Sequence, residues 1–233
     1  MKKKIVAFTG SGISAESGLK TFRDSDGLWE EYNIYEVATP EAWHRNRKLV
    51  LEFYNARRRQ VINASPNAAH FSLARLQSAF DVEIVTQNID DLHERAGSEK
   101  VLHLHGEIMK SQSTLNRNLI YSISGSELAE GDKCELGSQL RPFIVWFGEE
   151  VPLLPRAAEI VSQSDILLII GTSLQVYPAA GLVKYARHDV RMIYIDPKAD
   201  ENIFASGIEM IKDKAATAVP ELVEKLLSIN TYD

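Results

Sequence analysis

The sequence predicts an α/β fold, a doubly wound, parallel, Rossmann-like sheet with a smaller inserted domain. Three observations carry that expectation. Short apolar, β-favouring runs alternate with longer amphipathic stretches, as they do where helices cross over between parallel strands. The run Ile166-Leu167-Leu168-Ile169-Ile170 is apolar throughout, which suits a strand covered on both faces. Polar or glycine-bearing clusters fall directly after predicted strands, at residues 9–14, 87–90, 103–106, 171–173 and 196–198. Open α/β sheets bind ligands outside the carboxyl ends of their strands, so these clusters mark one prospective site.

The first strand is Ile5-Val6-Ala7-Phe8, closed by Thr9. It runs into Gly10-Ser11-Gly12-Ile13-Ser14-Ala15, where Ser14 is placed as a helix N-cap with Ala15 and Glu16 in the first turn. The spacing is G-x-G-x-x-A, a form of the dinucleotide fingerprint. Glycines let backbone N–H groups approach a diphosphate, and the opening helix turns its positive end toward it. Residues 21–29 are polar and read as a loop over the mouth of this strand. Thr39 caps a helix with Pro40 at its first position, running through Trp43 and Leu49 to about Val61. Ser65-Pro66 opens another that ends near Phe80, with Phe71, Leu73, Leu76 and Phe80 as its apolar positions. Strands follow at 82–86 and 101–104. Residues 107–140 are polar around the patch Leu119-Ile120-Tyr121 and read as an insertion of short strands and turns. Order returns at 142–148. Helices are predicted at 155–164, 178–187 and 215–229, and strands at 165–170, 192–195 and 209–211.

Composition narrows the class. The chain has 233 residues, 45% hydrophobic and 25% charged, an ordinary balance for a globular protein with one good core. A net charge of -6 argues against a surface built for nucleic acid. The single cysteine, Cys134, allows no internal disulfide and no thiolate-rich zinc site. The apolar run after Lys2-Lys3-Lys4 is too short for a secretion signal, and no stretch reaches membrane-spanning length. A cytoplasmic protein without a membrane partner is expected; the oligomeric state stays open.

A hydride-transfer dehydrogenase would carry a second strand ending in an acid about 20 residues after the fingerprint. Residues 26–32 contain Glu30 and Glu31 but no predicted strand, and they lead into helix. An acid ends a strand much later, at Asp196, where it can take a ribose. The topology differs from that of a dehydrogenase.

The full set of clusters is Gly10-Ser11-Gly12-Ile13-Ser14, Thr21-Phe22-Arg23, Gln87-Asn88-Ile89-Asp90, His103-Leu104-His105-Gly106, Val145-Trp146-Phe147-Gly148-Glu149 and Gly171-Thr172-Ser173. In this order, and over nearly the whole chain, they resemble the sirtuins, NAD-dependent protein-lysine deacylases. The resemblance implies an NAD-binding domain of residues 1–35, 63–106 and 141–233. Residues 36–62 and 107–140 would form the small domain. NAD and an acyl-lysine protein or peptide would enter the cleft from opposite sides. His105 is implied as the base that deprotonates a ribose hydroxyl, a task that suits imidazole near neutrality. His103, two residues earlier on the same face, is its competitor. Asn88 and Asp90 would hold the ribose and the nicotinamide amide, Gln87 would contact the ribose side, and Ile89 belongs to the same cofactor-binding loop. Phe22 and Arg23 would lie on a loop over the cofactor, Phe22 shielding the reactive ribose carbon from water. Gly171, Thr172 and Ser173 would meet phosphate or ribose, Asp196 the adenosine ribose and Ala215 the adenine.

Substrate choice is read from Tyr54 and Arg57, which share a helix face at i and i+3. Arg58, at i+4 from Tyr54, is not separated from Arg57 by geometry. An arginine fork and a phenol suit a carboxylate. Tyr-x-x-Arg together with the small Ala38 resembles the sirtuin class that removes succinyl and malonyl groups, with deacetylation as a further activity. Val145, Trp146, Phe147 and Gly148 are expected to pair as an extended edge with the substrate backbone. Most sirtuins bind structural zinc through two Cys-x-x-Cys pairs after the catalytic histidine. Here Ser111, Ser113 and Cys134 occupy those neighbourhoods, so no metal is expected, and the insertion should rest on turns and on Leu119, Ile120 and Leu128. The alternative is an ADP-ribosyltransferase or NAD hydrolase without deacylase activity.

Overall fold

The structure, a computed structural model, describes residues 2–20, 28–29, 32–200 and 208–230. Its first half contains β1 (Lys4–Thr9), the two-residue strands β2 (Leu28–Trp29) and β3 (Tyr32–Asn33), α1 (Ile34–Val37), α2 (Pro40–Arg45), α3 (Arg47–Asn63), α4 (Ala68–Leu76), β4 (Asp81–Thr86), α5 (Leu92–Arg95) and β5 (Val101–His103). There follow β6 (Gly106–Ser113), β7 (Ile120–Ser122), β8 (Leu140–Ile144), α6 (Leu154–Ser162), β9 (Ile166–Ile170), a 3-10 helix (Ala179–Tyr185), β10 (Arg191–Ile195), β11 (Ile208–Ile211) and α7 (Ala215–Asn230).

Six parallel strands form the main sheet in the order β11-β10-β9-β1-β4-β5. Strand β1 sits inside it, and its side chains divide by the period of two. Ile5 and Ala7 join Leu73, Leu76, Val219 and Leu222 from α4 and α7 in one core. Val6 and Phe8 join Ala157, Ile160 and Leu182 from α6 and the 3-10 helix in the other. Each fully buried Leu or Ile there contributes about 1.5–3 kcal/mol. The chain leaves β1 for β4 on one side and later fills β9 on the other. Strand order therefore reverses between β1 and β9, where a crevice opens at the carboxyl ends. Thr9 and Ile170 are register partners, so the Gly10 turn and the Gly171 loop meet at its floor.

The second module combines α1–α3 with the antiparallel sheet β7-β6-β8. Trp43, Val50, Phe53, Tyr54, Ile108, Leu128 and Trp146 belong to its own core. The expected apolar fastening of the insertion is only partly found: Leu128 is buried, whereas Ile120 lies exposed. A polar tie is added to the apolar packing of Ile108 and Leu128. Arg58, fully buried, donates from Nε to the Ile108 carbonyl at 2.7 Å and from Nη1 to Ser126 at 2.9 Å. Asn55 pairs with the Leu128 backbone in both directions at 3.0 Å.

Several local expectations are corrected. Ser14 stands at the N-cap position of only a 3-10 turn, Ala15–Ser17, which follows another, Ser11–Ile13, and its hydroxyl makes no cap bond but is committed to Asp90. Thr39 does cap, accepting from the Ala42 N–H at 3.1 Å, but its helix breaks at Asn46, which caps α3 anew. Helix α4 starts after Asn67 rather than at Ser65, through a capping box of Asn67 and His70. Its buried stripe is Ala69, Leu73 and Leu76, which leaves Phe71 52% exposed. The segment expected as a helix at 178–187 is 3-10. The hairpin of β2 and β3 lies where no strand was expected, yet it stays outside the parallel sheet. No helix among the described residues is long and apolar enough to cross a membrane.

Candidate active site

The crevice is a cavity of about 220 Å³ between the two modules. It gathers Gly10, Ser11, Ser14, Gln87, Asn88, Ile89, Asp90, His105, Gly171, Thr172 and Ser173 from strand ends of the main sheet. Ala38, Tyr54, Arg57, Val145, Trp146, Phe147 and Gly148 line it from the other side. A second cavity of about 310 Å³ shares Ser11 and Gly171 with the first and holds Gly12, Asp196 and Ala215. Ile13 lines neither; it is buried in the α4–α7 core below the turn. Phe22 and Arg23 lie outside the described residues.

The glycine turn owes its composition to packing rather than to open N–H groups. The Gly10 N–H donates to the Ile170 carbonyl at 3.0 Å and the Gly12 N–H to Gly171 at 2.8 Å. Gly171 has φ +61, and a Cβ there would stand 2.4 Å from the Ile13 nitrogen. Of the turn's donors, the Ser11 N–H makes no hydrogen bond among the described residues.

The two candidate histidines are chemically distinct. His103 is engaged at both ring nitrogens, Nδ1 at 2.8 Å from the Asn88 carbonyl and Nε2 at 2.8 Å from Glu94 Oε1. Burial acts to lower its pKa, but the Glu94 carboxylate outweighs that and holds it above the usual value. Both ring nitrogens face acceptors, an arrangement that favours the protonated ring. His105 instead donates from Nδ1 to the Gln87 carbonyl at 3.0 Å. That bond puts the hydrogen on Nδ1 and leaves the Nε2 lone pair as an acceptor. Burial lowers its pKa, so the ring is neutral near pH 7 and ready to take a proton.

The loop after β4 is wired to the glycine turn. Asn88 Nδ2 donates to Ser14 Oγ at 3.1 Å, and Ser14 Oγ donates to Asp90 Oδ2 at 3.1 Å. Asp90 also accepts from the Leu92 N–H, yet burial dominates and pushes its carboxyl upward. Gln87 Nε2 donates to Thr172 Oγ1 at 2.9 Å, joining this loop to the one after β9. On the other side of the cavity, Trp146 Nε1 donates to the Tyr54 hydroxyl at 3.0 Å. Arg57 reaches the Lys20 carbonyl at 3.1 Å and lines the cavity, whereas Arg58 turns into the insertion and Arg59 pairs with Glu127.

The 145–148 edge is largely satisfied from within. The N–H groups of Val145, Trp146 and Phe147 donate to His105, Glu149 and Ala38 respectively. The Val145 carbonyl and the Gly148 N–H make no hydrogen bond among the described residues. Glu149, which the sequence reading left without a role, lines the cavity and forms a buried ion pair with Arg141 at 2.8 Å. The opposite charges bracketing an apolar run were its available signal. No group of three or more His, Cys, Asp or Glu among the described residues is placed to hold a metal.

NAD fits what is present. Two cavities meet at a glycine turn, an unspent N–H lies at their junction, and a buried acid, Asp196, ends β10 in the outer one. The fold and cleft define an NAD-binding enzyme of the doubly wound α/β class with a second module over its site. The chain matches the model of the Sir2 family over residues 10–178. An NAD-dependent protein deacylase of Helicobacter pylori is 51% identical over 227 residues, 97% of this chain and 99% of that protein. One from Bacteroides thetaiotaomicron with the same name is 46% identical over 97% of this chain and 98% of its own. A solved Sir2 homologue mutant in complex with ADP ribose superposes with a TM-score of 0.91 at 36% identity, covering 100% of this chain and 95% of the other. A Sir2 homologue with NAD gives 0.88 at 37% identity over 98% and 91%. The chain belongs to the Sir2 family.

Proposed function

We propose that this NAD-dependent protein deacylase removes succinyl and malonyl groups from lysine side chains of protein or peptide substrates, with acetyl groups as further substrates. The acyl choice rests on the convergence of Ala38, Tyr54 and Arg57 on the cavity that also contains His105. A small side chain gives room, a guanidinium supplies charge-assisted bonds to a carboxylate, and a buried phenol adds polarity without charge. Burial raises the Tyr54 pKa far above the phenol's usual value, so the hydroxyl stays protonated.

The residues that would hold NAD are the 10–14 turn, Gln87 to Asp90, the 171–173 loop, and Asp196 with Ala215 at the adenosine end. When bound, NAD supplies an ADP-ribosyl group that releases nicotinamide and accepts the acyl group. His105 takes up a hydroxyl proton at Nε2 while the Gln87 carbonyl holds Nδ1–H. Asn88 and Asp90, fixed to each other through Ser14, orient an amide or ribose. The Val145 carbonyl and Gly148 N–H serve the peptide backbone.

The test is mass spectrometry of the protein with NAD and matched succinyl- and acetyl-lysine peptides. Peptide-dependent nicotinamide release with an acylated ADP-ribose is expected. Arg57→Met should lower kcat/KM on the succinyl peptide about 10- to 100-fold, the worth of a charge-assisted hydrogen bond, and spare the acetyl peptide. Equal losses on both peptides contradict the carboxylate clamp. NAD consumption without peptide, or a mass gain on protein, would instead mark a hydrolase or a transferase.

A further inference from the structure

Two buried histidines below the cleft take no part in the chemistry above. His70 and His93 are both fully buried, with ring centroids 4.9 Å apart. The contacts of His93 have a readable direction. Thr9 Oγ1 donates to Thr86 Oγ1 at 2.8 Å, and the Asn88 N–H donates to the same oxygen at 3.0 Å. A hydroxyl has one proton, so Thr9 Oγ1, having spent it on Thr86, accepts at its 3.1 Å contact with His93 Nε2. His93 is thereby the Nε2–H tautomer. Its neighbour His70 accepts from the Asn67 N–H through Nδ1, and Asn67 Nδ2 donates to the Ile13 carbonyl at 2.8 Å. The pair thus lies between the glycine turn and the loop after β4.

We propose that His93 is a positioning residue for the deacylation: through Thr9 and Thr86 it holds the Asn88 backbone. That chain fixes the bend from β4 into residues 87–90, which carries Asn88, Asp90 and the carbonyl that orients His105. A donor is required at this position, not an imidazole as such. The kinetic half of the proposal rests on the deacylase activity above, whereas the structural half stands without it.

The test uses the whole chain and three variants. His93→Gln keeps an N–H donor at similar reach, His93→Leu removes it, and Thr9→Val removes the hydroxyl at equal size. Exchange of the Asn88 amide is followed by NMR in nucleotide-free protein, ADP-ribose affinity by calorimetry, and kcat and KM with an acyl-lysine peptide. His93→Leu and Thr9→Val should each speed Asn88 exchange and lower kcat about tenfold, and the double variant should be no worse than either. Peptide KM should hold, ADP-ribose should still bind, and His93→Gln should restore both slow exchange and turnover. Unchanged Asn88 exchange in folded Thr9→Val overturns the proposal, as does a His93→Gln variant as impaired as His93→Leu. If the parent protein removes no acyl group, the proposed activity fails, and amide exchange alone still decides the role of His93.

Discussion

Tyr54 and Trp146 meet through one buried hydrogen bond, the indole Nε1–H donating to the phenol oxygen at 3.0 Å. It joins α3, which carries Tyr54 and Arg57, to the 145–148 segment proposed to receive the peptide. Tyr54→Phe strands a buried indole N–H and should cost about 1–3 kcal/mol in chemical denaturation. With Trp146→Phe added, the double variant should lose less than the sum of the two single losses; strictly additive losses contradict the pairing.

Arg141 stands over the same ring, its guanidinium carbon 3.4 Å from the Trp146 centroid, and bonds Glu149 through both Nη atoms. Both charged side chains are less than a tenth exposed. Glu149→Ala leaves a buried, unpaired guanidinium and should destabilise the protein by about 3–5 kcal/mol. Urea midpoints for this variant and for Glu149→Ala with Arg141→Met measure it, the double variant being the more stable of the two.

Acid sensitivity follows from the buried histidines. Burial lowers the pKa of His70 to about 4 and that of His93 well below the usual value. A depressed histidine adds stability that is complete above its unfolded value and declines as pH falls toward the folded one. His103 has the opposite sign, its contribution fading as pH rises through its elevated folded value. Glu94 and Glu149, held low by His103 and Arg141 against their burial, lose theirs only in stronger acid. Stability should therefore fall between pH 6.5 and about 4, and His70→Gln should flatten that fall. Identical slopes in parent and variant contradict the assignment.

Metal removal should change nothing. Ser113, Cys134 and Ser138 are bonded to one another, with Cys134 Sγ 3.2 Å from Ser138 Oγ, and hydroxyls are poor zinc ligands. Dialysis against a chelator should leave the thermal midpoint unaltered, and elemental analysis should find no zinc. One zinc per chain would contradict both.

The sheet was legible because burial on two faces leaves continuous apolar runs, as in Ile166 to Ile170, and a period of two in β1. The crevice was legible because strand ends fix where loops point. What escaped depends on contacts distant in sequence. Nothing local distinguishes Ser14 as a partner of Asp90 from Ser14 as a helix cap, since either use suits a serine. The separation of Arg57 from Arg58 needed the carbonyl of Ile108 as an acceptor, fifty residues on. The family motif already favoured His105 over His103, but the engagement of His103 by Glu94 is a contact no spacing rule predicts.

The central claim is that His105 Nε2 accepts the proton that lets the acyl group move. The most direct measurement is acyl-lysine turnover by His105→Ala alongside its ADP-ribose affinity. Turnover should drop by about 10²- to 10⁴-fold, the usual loss of a general base, with ADP-ribose still bound. Acyl removal at the parent rate by a folded His105→Ala protein would contradict it.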